Sequence, residues 1–432
     1  MNPSMKSRLL HIASAALLTL TTPGIAAADP NGAWVLLSPS GSGPAPREGH
    51  VLIYDPVADR LILHGGYDGV KFFDDVWVFS LATNGPWQQI VPAGPAPVRR
   101  AYHAATYDAL RQRVLIHGGM NPTPLDGLWA LDLSGPAAWD SLVPGGTGPG
   151  ARYWHSMVDD PINDRALLFA GAGASHDLFE LQLGAGADGT WVPLFPDPAP
   201  GNRCCHDAAY DSATFSMVMF GGWNGDELED LWAYNDNGPL GGWTSLLATG
   251  PDRTDHVVVI DRKRHRLVTH GGVVGSTPLG DVWAASLDAP VAWTQLTTFG
   301  NAPVPRVEHA AVYDPIRDRM ILFGGRGGGP LDDLWALDFS GTVGVAPGAA
   351  IAPRLAIERA SARGGAILLD LTLANAEPLR IDVVDVAGRR VAEQNVQAST
   401  RLRVPVEAGS GVYFVRVRQG AQKANGRVAF VR

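Results

Sequence analysis

The segment REGHVLIYDPVADRLILHGG, residues 47–66, contains an apolar run, a tight turn and a second apolar run. Pro56 pre-sets the backbone for the turn, and Gly65–Gly66 ends the second run. Two such runs joined by a short turn form an antiparallel hairpin. The segments DVWVFSL and WQQIVP that follow predict a third and a fourth strand. This part of the chain therefore predicts one four-stranded antiparallel sheet.

The same hairpin recurs along the chain, with the glycine doublets 53, 52, 51, 50 and 53 residues apart. In the third copy Ala170 replaces the first glycine. Each copy has Arg-x-x-His before the doublet, and a carboxylate ahead of an aromatic residue after it. A period near fifty residues with four strand-sized pieces predicts propeller blades. The doublets are Gly65–Gly66, Gly118–Gly119, Gly221–Gly222, Gly271–Gly272 and Gly324–Gly325.

The combination of Arg-x-x-His, YDP…DR, the glycine pair, Asp-x-Trp and a second tryptophan resembles the kelch repeat. The resemblance covers about residues 30–340 and implies a β-propeller with one four-stranded blade per repeat. The third repeat departs from the pattern, because it has Ala170 for glycine and Phe179 for tryptophan. An irregular blade edge is expected there.

The segment GAWVLLSP around Trp34 stands before the first repeat, whereas the last repeat, which ends at Trp335, has no second-tryptophan strand after it. The N-terminal segment is therefore expected to supply the outer strand of the last blade, which removes exposed sheet edges. The expected fold is an all-β, six-bladed kelch-type β-propeller closed by an N-terminal outer strand, followed by a small C-terminal β-sandwich. The second-tryptophan strands contain Trp34, Trp87, Trp139, Trp191, Trp243 and Trp293.

The first residues have the layout of a secretory signal, with Lys6 and Arg8 ahead of an apolar run and three alanines that end at Ala28. The apolar run is too short to span a bilayer comfortably, which disfavours a membrane anchor. No transmembrane segment is expected after signal removal. The expected division is signal 1–28, propeller 29–340, a Pro/Gly-rich linker 341–353 and a sandwich 354–432.

The C-terminal segments VVDVAGRRVAE and GVYFVRVR resemble the C-terminal sorting domain of type IX secretion cargo. The alternation of Arg416 and Arg418 with valines is typical of a half-buried strand. The resemblance implies the type IX export machinery as a partner and a secreted or outer-membrane-surface location in a Gram-negative bacterium. The alternative is an ordinary accessory sandwich.

The charge is unevenly distributed. The chain carries −9; loss of Lys6 and Arg8 gives −11, and residues 341–432 carry 13 − 7 = +6, so residues 29–340 carry −11 − 6 = −17. Nucleic-acid binding needs clustered Lys and Arg to neutralise phosphates, so a nucleic-acid partner is not expected.

A residue that recurs in all six copies occupies six places around a ring, which indicates an architectural role. This applies to the glycine doublets, to the repeated histidines, and to Trp34, Trp77 and Trp335. The repeated arginines have two interpretations: ion pairs with the aspartates that precede the aromatic residues, or a cationic patch at the channel mouth that binds a ligand. These arginines are Arg47, Arg100, Arg152, Arg203, Arg253 and Arg306.

Three residues that directly follow doublets differ between copies: Tyr67, Trp223 and Arg326. They are candidate ligand contacts at the channel mouth, or else ordinary loop variation. Cys204 and Cys205 are expected at the start of an inner strand, where they would point to opposite sides. They are either two buried thiols or a strained vicinal disulfide.

The sequence contains no nucleophile elbow, phosphate loop or HExxH motif. The expected function is binding of a protein or glycan at the cell surface by a monomer, with no catalytic residue, metal or cofactor. The alternative is a carbohydrate-active enzyme similar to galactose oxidase, which would need a copper site. The histidines outside the repeat framework show no ligand spacing; they are His64, His117, His176, His265 and His270.

Overall fold

The computed structural model describes residues 31–172, 176–184, 188–236, 241–246, 249–341, 356–363, 366–372, 378–385, 389–397, 401–406, 411–419 and 422–430. The chain divides into two compact units, Met1–Val343 and Gly344–Arg432. The expected signal 1–28 and residues 342–353 of the expected linker lie outside the described residues. Within the described part of the chain, no helix is long and apolar enough to cross a membrane.

The first unit consists of β-sheets arranged as six blades, and β1 (Ala33–Leu37) precedes them in the chain. Blade 1 contains β2 (Val51–Asp55), β3 (Arg60–His64), β4 (Val76–Ser80) and β5 (Gln88–Ile90). Blade 2 contains β6 (Ala104–Asp108), β7 (Arg113–His117), β8 (Leu128–Asp132) and β9 (Ala138–Leu142). Blade 3 contains β10 (Gly145–Gly146), β11 (Ser156–Asp160), β12 (Arg165–Phe169), β13 (Leu178–Gln182) and β14 (Thr190–Leu194).

The remaining blades repeat this order, and blade 5 has an additional two-stranded hairpin. Blade 4 contains β15 (Asp207–Asp211), β16 (Ser216–Phe220), β17 (Leu231–Asn235) and β18 (Gly242–Ser245). Blade 5 contains β19 (Val257–Asp261), β20 (Arg266–His270), the hairpin β21 (Val273–Val274) and β22 (Thr277–Pro278), β23 (Val282–Ser286) and β24 (Trp293–Gln295). Blade 6 contains β25 (Ala310–Asp314), β26 (Arg319–Phe323) and β27 (Leu334–Asp338).

The N-terminal strand completes blade 6. β1 pairs antiparallel with β27, with Trp34 opposite Leu337, so the sheet order is β1-β27-β26-β25. The inner strands β2, β6, β11, β15, β19 and β25 are successive neighbours, and β25 also lies against β2. The all-β, six-bladed propeller expected from the repeat is therefore confirmed, and its last blade combines both ends of the propeller segment.

The glycine doublets form joints between adjacent blades. Gly65 has φ +69°, and a Cβ there would lie 2.6 Å from the carbonyl oxygen of Arg100 in the next blade. Gly66 donates its amide hydrogen to that same oxygen at 2.9 Å. The second glycine of every blade makes this bond to the arginine of the next blade, from Gly66 round to Gly325, whose acceptor is Arg47. Ala170 occupies the first position in blade 3 with φ +51°.

The second tryptophans fill the space between blades. Trp87 lies 5.3 Å from Phe79 in its own blade and 5.4 Å from Phe323 in blade 6, measured between ring centroids. Trp77 and Trp335 are half-buried, and each indole donates a hydrogen bond to the aspartate two residues before it, at 2.7 and 2.6 Å. Burial of these large rings supplies much of the apolar contact between sheets.

Strand direction places two kinds of loop on opposite faces. We call the face with the inter-blade connectors and the loops after the doublets the connector face, and the opposite one the turn face. Ion pairs link blades on the turn face. Arg264 bonds Asp318 at 3.0 Å, and Arg317 bonds Asp59 at 2.6 Å.

The second unit contains two sheets, with strand orders β28-β29-β32 and β31-β30-β33-β34. Its buried core includes Ile367, Leu369, Val383 and Val415. Alternate residues of β33 are buried and exposed, as its sequence pattern predicts. The strands are β28 (Ala356–Arg363), β29 (Ala366–Thr372), β30 (Leu379–Asp385), β31 (Arg390–Val396), β32 (Arg401–Pro405), β33 (Gly411–Gln419) and β34 (Gln422–Phe430).

Candidate binding site at the channel mouth

The six repeated arginines are buried, and five of them bind the expected aspartates. Arg47 pairs with Asp75 at 2.6 Å and also donates to the carbonyl of Gly65. Arg100 donates to the carbonyls of Val98 and Gly118, and burial lowers its pKa to about 10. The other pairs are Arg152–Asp177, Arg203–Asp230, Arg253–Asp281 and Arg306–Asp333.

This arrangement supports the ion-pair interpretation for five arginines, whereas Arg100 donates to carbonyl oxygens. The ligand-binding interpretation of Arg47, Arg100, Arg152, Arg203, Arg253 and Arg306 stays a prediction. Their guanidinium groups lie beneath the surface and hold the strand ends and loops of each blade together. A buried guanidinium that is already bonded to a carboxylate or to backbone carbonyls is typical of a structural role.

The repeated histidines are buried between blades, and some pair with a histidine from outside the repeat framework. His64 Nδ1 lies 3.1 Å from Nε2 of His103 in the next blade. Burial lowers the pKa of His64 to about 3, and it holds the pKa of His103 well below its usual value. These imidazoles are therefore neutral at pH 7 and act as hydrogen-bonding links between blades.

The second residues after the six repeated arginines form a ring around the propeller axis. These residues have φ values between +54° and +63°, in the left-handed region. Their amides and carbonyls form a closed series of six hydrogen bonds of 2.7–3.1 Å, each residue donating to its equivalent in the preceding blade. We call this set the inner ring: Gly49, Tyr102, Trp154, Cys205, Asp255 and Glu308.

The inner ring has a constant backbone and variable side chains. A Cβ on Gly49 would overlap the ring of Tyr102, so that aromatic side chain occupies the place left by glycine. Tyr102 and Trp154 lie 5.1 Å apart between ring centroids. The hydroxyl of Tyr102 donates to Glu48 at 3.1 Å. One side of the channel mouth is thus aromatic.

The opposite side of the mouth is acidic. Arg326 Nε donates to Glu48 Oε2 at 2.6 Å, whereas its Nη2 lies 3.7 Å from Glu308 Oε2. Burial raises the pKa of Asp255 to about 6. Burial, with the neighbouring charges of Asp255 and Glu48, raises the pKa of Glu308 to about 8. Two carboxyl groups, those of Glu48 and Glu308, therefore share the guanidinium of Arg326, and the charge of Arg326 also acts on Asp255.

The predicted loop residues border this ring. Each forms a β-bridge with the residue that precedes an inner-ring member: Tyr67 with Glu48, Trp223 with Cys204, and Arg326 with Val307. The Tyr67 hydroxyl bonds the carbonyl of Gly69 in its own loop. Trp223 is 47% exposed. Arg326 is the one of the three whose side chain contacts the acidic group.

Cys204 and Cys205 are both free thiols and are partly buried. They lie in the connector before β15 and not at the start of the strand, because Cys205 has φ +63°. Because they precede the strand, the alternation of side chains along a strand does not apply to them. A hydrogen bond with Cys204 and burial raise the pKa of Cys205.

Tyr67, Trp223 and Arg326, which the sequence pattern indicated, border the inner ring, and of its members the pattern drew attention only to Cys205, as a thiol. The members could have been found from one variable position between constant residues. The arginine and the histidine recur in every copy, whereas the residue just before the histidine is Gly, Tyr, Trp, Cys, Asp or Glu. Across the described residues, no three acidic, histidine or cysteine side chains are arranged to hold a metal ion.

Residues 29–171 and 161–343 match the model of the KLHDC2/KLHL20/DRC7 Kelch-repeats domain, and residues 365–430 match that of a secretion system C-terminal sorting domain. The chain is 27% identical over 311 residues to the serine/threonine-protein phosphatase BSL2 of Arabidopsis thaliana, covering 70% of this chain and 27% of that protein.

Human host cell factor 1 is 28% identical over 269 residues, which cover 55% of this chain and 12% of that protein. The chain thus spans about a quarter or less of the length of these two relatives. The solved structure of YjhT aligns with a TM-score of 0.45 and 16% identity, over 60% of this chain and 86% of that one. The C-terminal sorting domain supports secretion or display at the cell surface.

Proposed function

Because the chain belongs to the kelch-repeat family, we propose that it is an exported propeller that binds a protein or glycan ligand at the channel mouth on its connector face. The C-terminal domain would direct it through the type IX machinery of a Gram-negative bacterium. The propeller would then act as a binding module outside the cell or on its surface.

The observation that carries this proposal is the inner ring. The same amide–carbonyl hydrogen bond holds its backbone in every blade, whereas the six side chains differ. Function on a repeat scaffold resides in the residues that differ between equivalent positions. Here those residues combine two aromatic rings, a thiol and carboxylates at one end of the channel.

The connector face also exposes apolar side chains. Val98, Phe195 and Val304 lie in connectors and are 57%, 86% and 50% exposed, and Trp223 lies in the loop after a doublet. Exposed apolar groups around a polar centre are typical of interaction sites. The turn face also exposes apolar side chains, such as Val57 and Ile162 at 55% and 62%. We place the ligand on the connector face because the inner ring, whose side chains differ between blades, lies there.

The test uses the purified full chain on a glycan array and on a panel of immobilised cell-surface proteins. The double variant Tyr67→Ala/Trp223→Ala removes two aromatic groups from the connector face. The matched double variant Val57→Ala/Ile162→Ala removes exposed apolar groups from the turn face. Loss of a bound partner in the connector-face variant alone would support the proposal. Loss in the turn-face variant alone would place the site on the turn face and contradict it.

The copper-oxidase alternative gains no support from the described residues, because none of their acidic, histidine or cysteine side chains form a set that could hold a metal ion. Metal analysis of the purified chain, with an oxidase assay on galactosides, tests this alternative. Bound copper together with peroxide production would favour the enzyme.

A further inference from the structure

We propose that the channel mouth binds an organic cation, an ammonium or guanidinium group such as a lysine or arginine side chain of the ligand, between the carboxyl groups of Asp255 and Glu308. This inference rests on the proposed function, since it names the chemistry of the group that enters the same site. The contacts of each carboxyl group support it.

The charges at the mouth are unbalanced. Glu48 is satisfied, because it accepts from both Arg326 and Tyr102. Glu308 is satisfied only in part: its side chain is 9% exposed and it has a hydrogen bond with Glu48, but Oε2 has no hydrogen-bond partner within the described residues. The nearest cationic nitrogen, Nη2 of Arg326, stands 3.7 Å away from it. A buried carboxylate oxygen without a donor costs free energy that an incoming N–H group would recover.

The shape of the site favours an organic cation over a metal ion. No three described acidic, histidine or cysteine groups are positioned to coordinate a metal. Tyr102 and Trp154 place aromatic rings on the side of the mouth opposite Asp255 and Glu308, and the faces of such rings attract alkylammonium and guanidinium groups. One N–H donor directed at Glu308 and an alkyl stem against the aromatic side would use both halves of the mouth.

The raised pKa values of Asp255 and Glu308 agree with this geometry, because repulsion between neighbouring carboxylates contributes to the shift of Glu308. A bound cation reverses that effect and favours the ionised form. Binding is therefore expected to release a proton at pH 7, which calorimetry detects as a dependence of the heat on the buffer.

The probes are N-acetyl-arginine methylamide, N-acetyl-lysine methylamide and the neutral isostere N-acetyl-citrulline methylamide, titrated into the full chain by calorimetry. We expect the arginine probe to bind at least about ten-fold more tightly than the citrulline probe, since only the cation pairs with the carboxylates. Equal binding of the two, or none of either cation, would overturn the inference.

Three variants complete the test. Glu308→Gln is expected to weaken binding of the arginine probe about ten-fold. Arg326→Gln is expected to strengthen it, because it removes the internal cation that competes for the same carboxyl groups. Asp252→Asn changes an exposed acid of a connector and is expected to leave binding unchanged. If Arg326→Gln weakens binding instead, Arg326 contacts the ligand and the assignment is wrong.

These outcomes are separable from those of the proposed function. A ligand that is lost in Tyr67→Ala/Trp223→Ala but retained in Glu308→Gln would keep the connector-face site and reject the cation. Absence of any connector-face ligand, with specific binding of the arginine probe, would keep the cation site and reject a macromolecular partner.

Discussion

The indole of Trp34 packs edge-on against the imidazole of His270, with 5.1 Å between the ring centroids. Trp34 belongs to the strand that completes blade 6, whereas His270 belongs to blade 5. The amide of Trp34 also donates to the carbonyl of Phe299, in the connector between these blades, at 2.8 Å. The N-terminal strand therefore joins two blades, and its tryptophan is a central contact of the closure.

Trp34→Ala is expected to lower the free energy of unfolding by about 3–5 kcal/mol, because it opens a cavity in a well-packed region. Trp34 is 4% exposed, whereas Trp223 is 47% exposed. Trp223→Ala is the matched control and is expected to change stability by about 0.5 kcal/mol or less. Urea denaturation of both variants measures the difference, and equal losses would show that the closing strand is not a stability element.

Asp75→Asn is expected to destabilise the propeller by about 3 kcal/mol, because it leaves the fully buried guanidinium of Arg47 without its counter-charge. The neighbouring Asp74 pairs only with the exposed Arg99, at 3.4 Å. Asp74→Asn is therefore the control, with an expected loss below about 1 kcal/mol. Chemical denaturation at pH 7 provides the comparison, and similar losses would contradict the role of the buried pair.

The same ion pairs predict acid sensitivity. Burial opposes ionisation of Asp75, but the hydrogen bonds and charge of Arg47 outweigh it and lower the pKa. Asp230, Asp281 and Asp333 follow the same pattern. Groups with a lowered pKa in the folded state stabilise above the ordinary aspartate pKa, and this stabilisation is lost as the pH falls through the folded-state values. Melting temperatures are expected to decline below about pH 4, and a flat profile down to pH 2 would reject this cause.

The raised pKa of Glu308 predicts the opposite pH dependence of stability for the wild type, and Glu308→Gln is expected to remove it. Because the pKa of Glu308 is raised to about 8, the folded state holds a proton that the unfolded state releases above its ordinary pKa of 4.5. Wild-type stability should therefore fall between these two values, by up to about 1.4 kcal/mol per pH unit. The variant should match the wild type at pH 4 and exceed it at pH 8; a constant difference across this range would show that the carboxyl group is not the source.

The doublet joints can be tested in both directions. Gly65→Ala places a methyl group 2.6 Å from the carbonyl oxygen of Arg100 and forces a left-handed backbone on alanine. We expect a loss of about 1–2 kcal/mol or more. Ala170→Gly removes the same backbone penalty from blade 3 and is expected to be neutral or stabilising by up to about 1 kcal/mol. Differential scanning calorimetry would detect both shifts, and destabilisation by Ala170→Gly would indicate that its methyl group packs productively.

Deletion of residues 354–432 is expected to abolish delivery to the cell surface or medium, whereas the predicted N-terminal signal would still export the protein from the cytoplasm. Fractionation with immunodetection measures the distribution. The matched control keeps the whole tail and carries Trp223→Ala, which is expected to reach the same location as the wild type. Unchanged delivery of the truncated protein would reject a sorting role and leave an accessory sandwich.

The repeat spacing was enough to predict the blades, because successive doublet positions lie about fifty residues apart. The place of Trp34 followed from counting strands against doublets. The sequence could not decide between ion pairs and ligand binding for the repeated arginines, because a recurring arginine and a recurring aspartate do not show whether the pair is buried or exposed. Burial of Arg47 beneath the loops is a property of the assembled blade.

The inner ring was not predicted for a related reason. Asp255 and Glu308 are separated in sequence from each other and from Glu48, and nothing local marks them as neighbours. Their proximity depends on the closure of the propeller, which brings the first and last repeats side by side. Arg326 was identified only because it directly follows a doublet, and its contact with Glu48 spans 278 positions.

The hydrogen-bonded inner ring separates the chemistry of the channel mouth from the stability of the propeller. Its backbone bonds use only amides and carbonyls, so exchanging a side chain leaves these bonds in place, except at Gly49, where an added Cβ would overlap the ring of Tyr102. The left-handed φ disfavours β-branched residues and proline, and nearly any other residue type is admissible. The five positions other than Gly49 can therefore be replaced one at a time, and the propeller could acquire a new ligand preference through single substitutions that leave its blades unchanged.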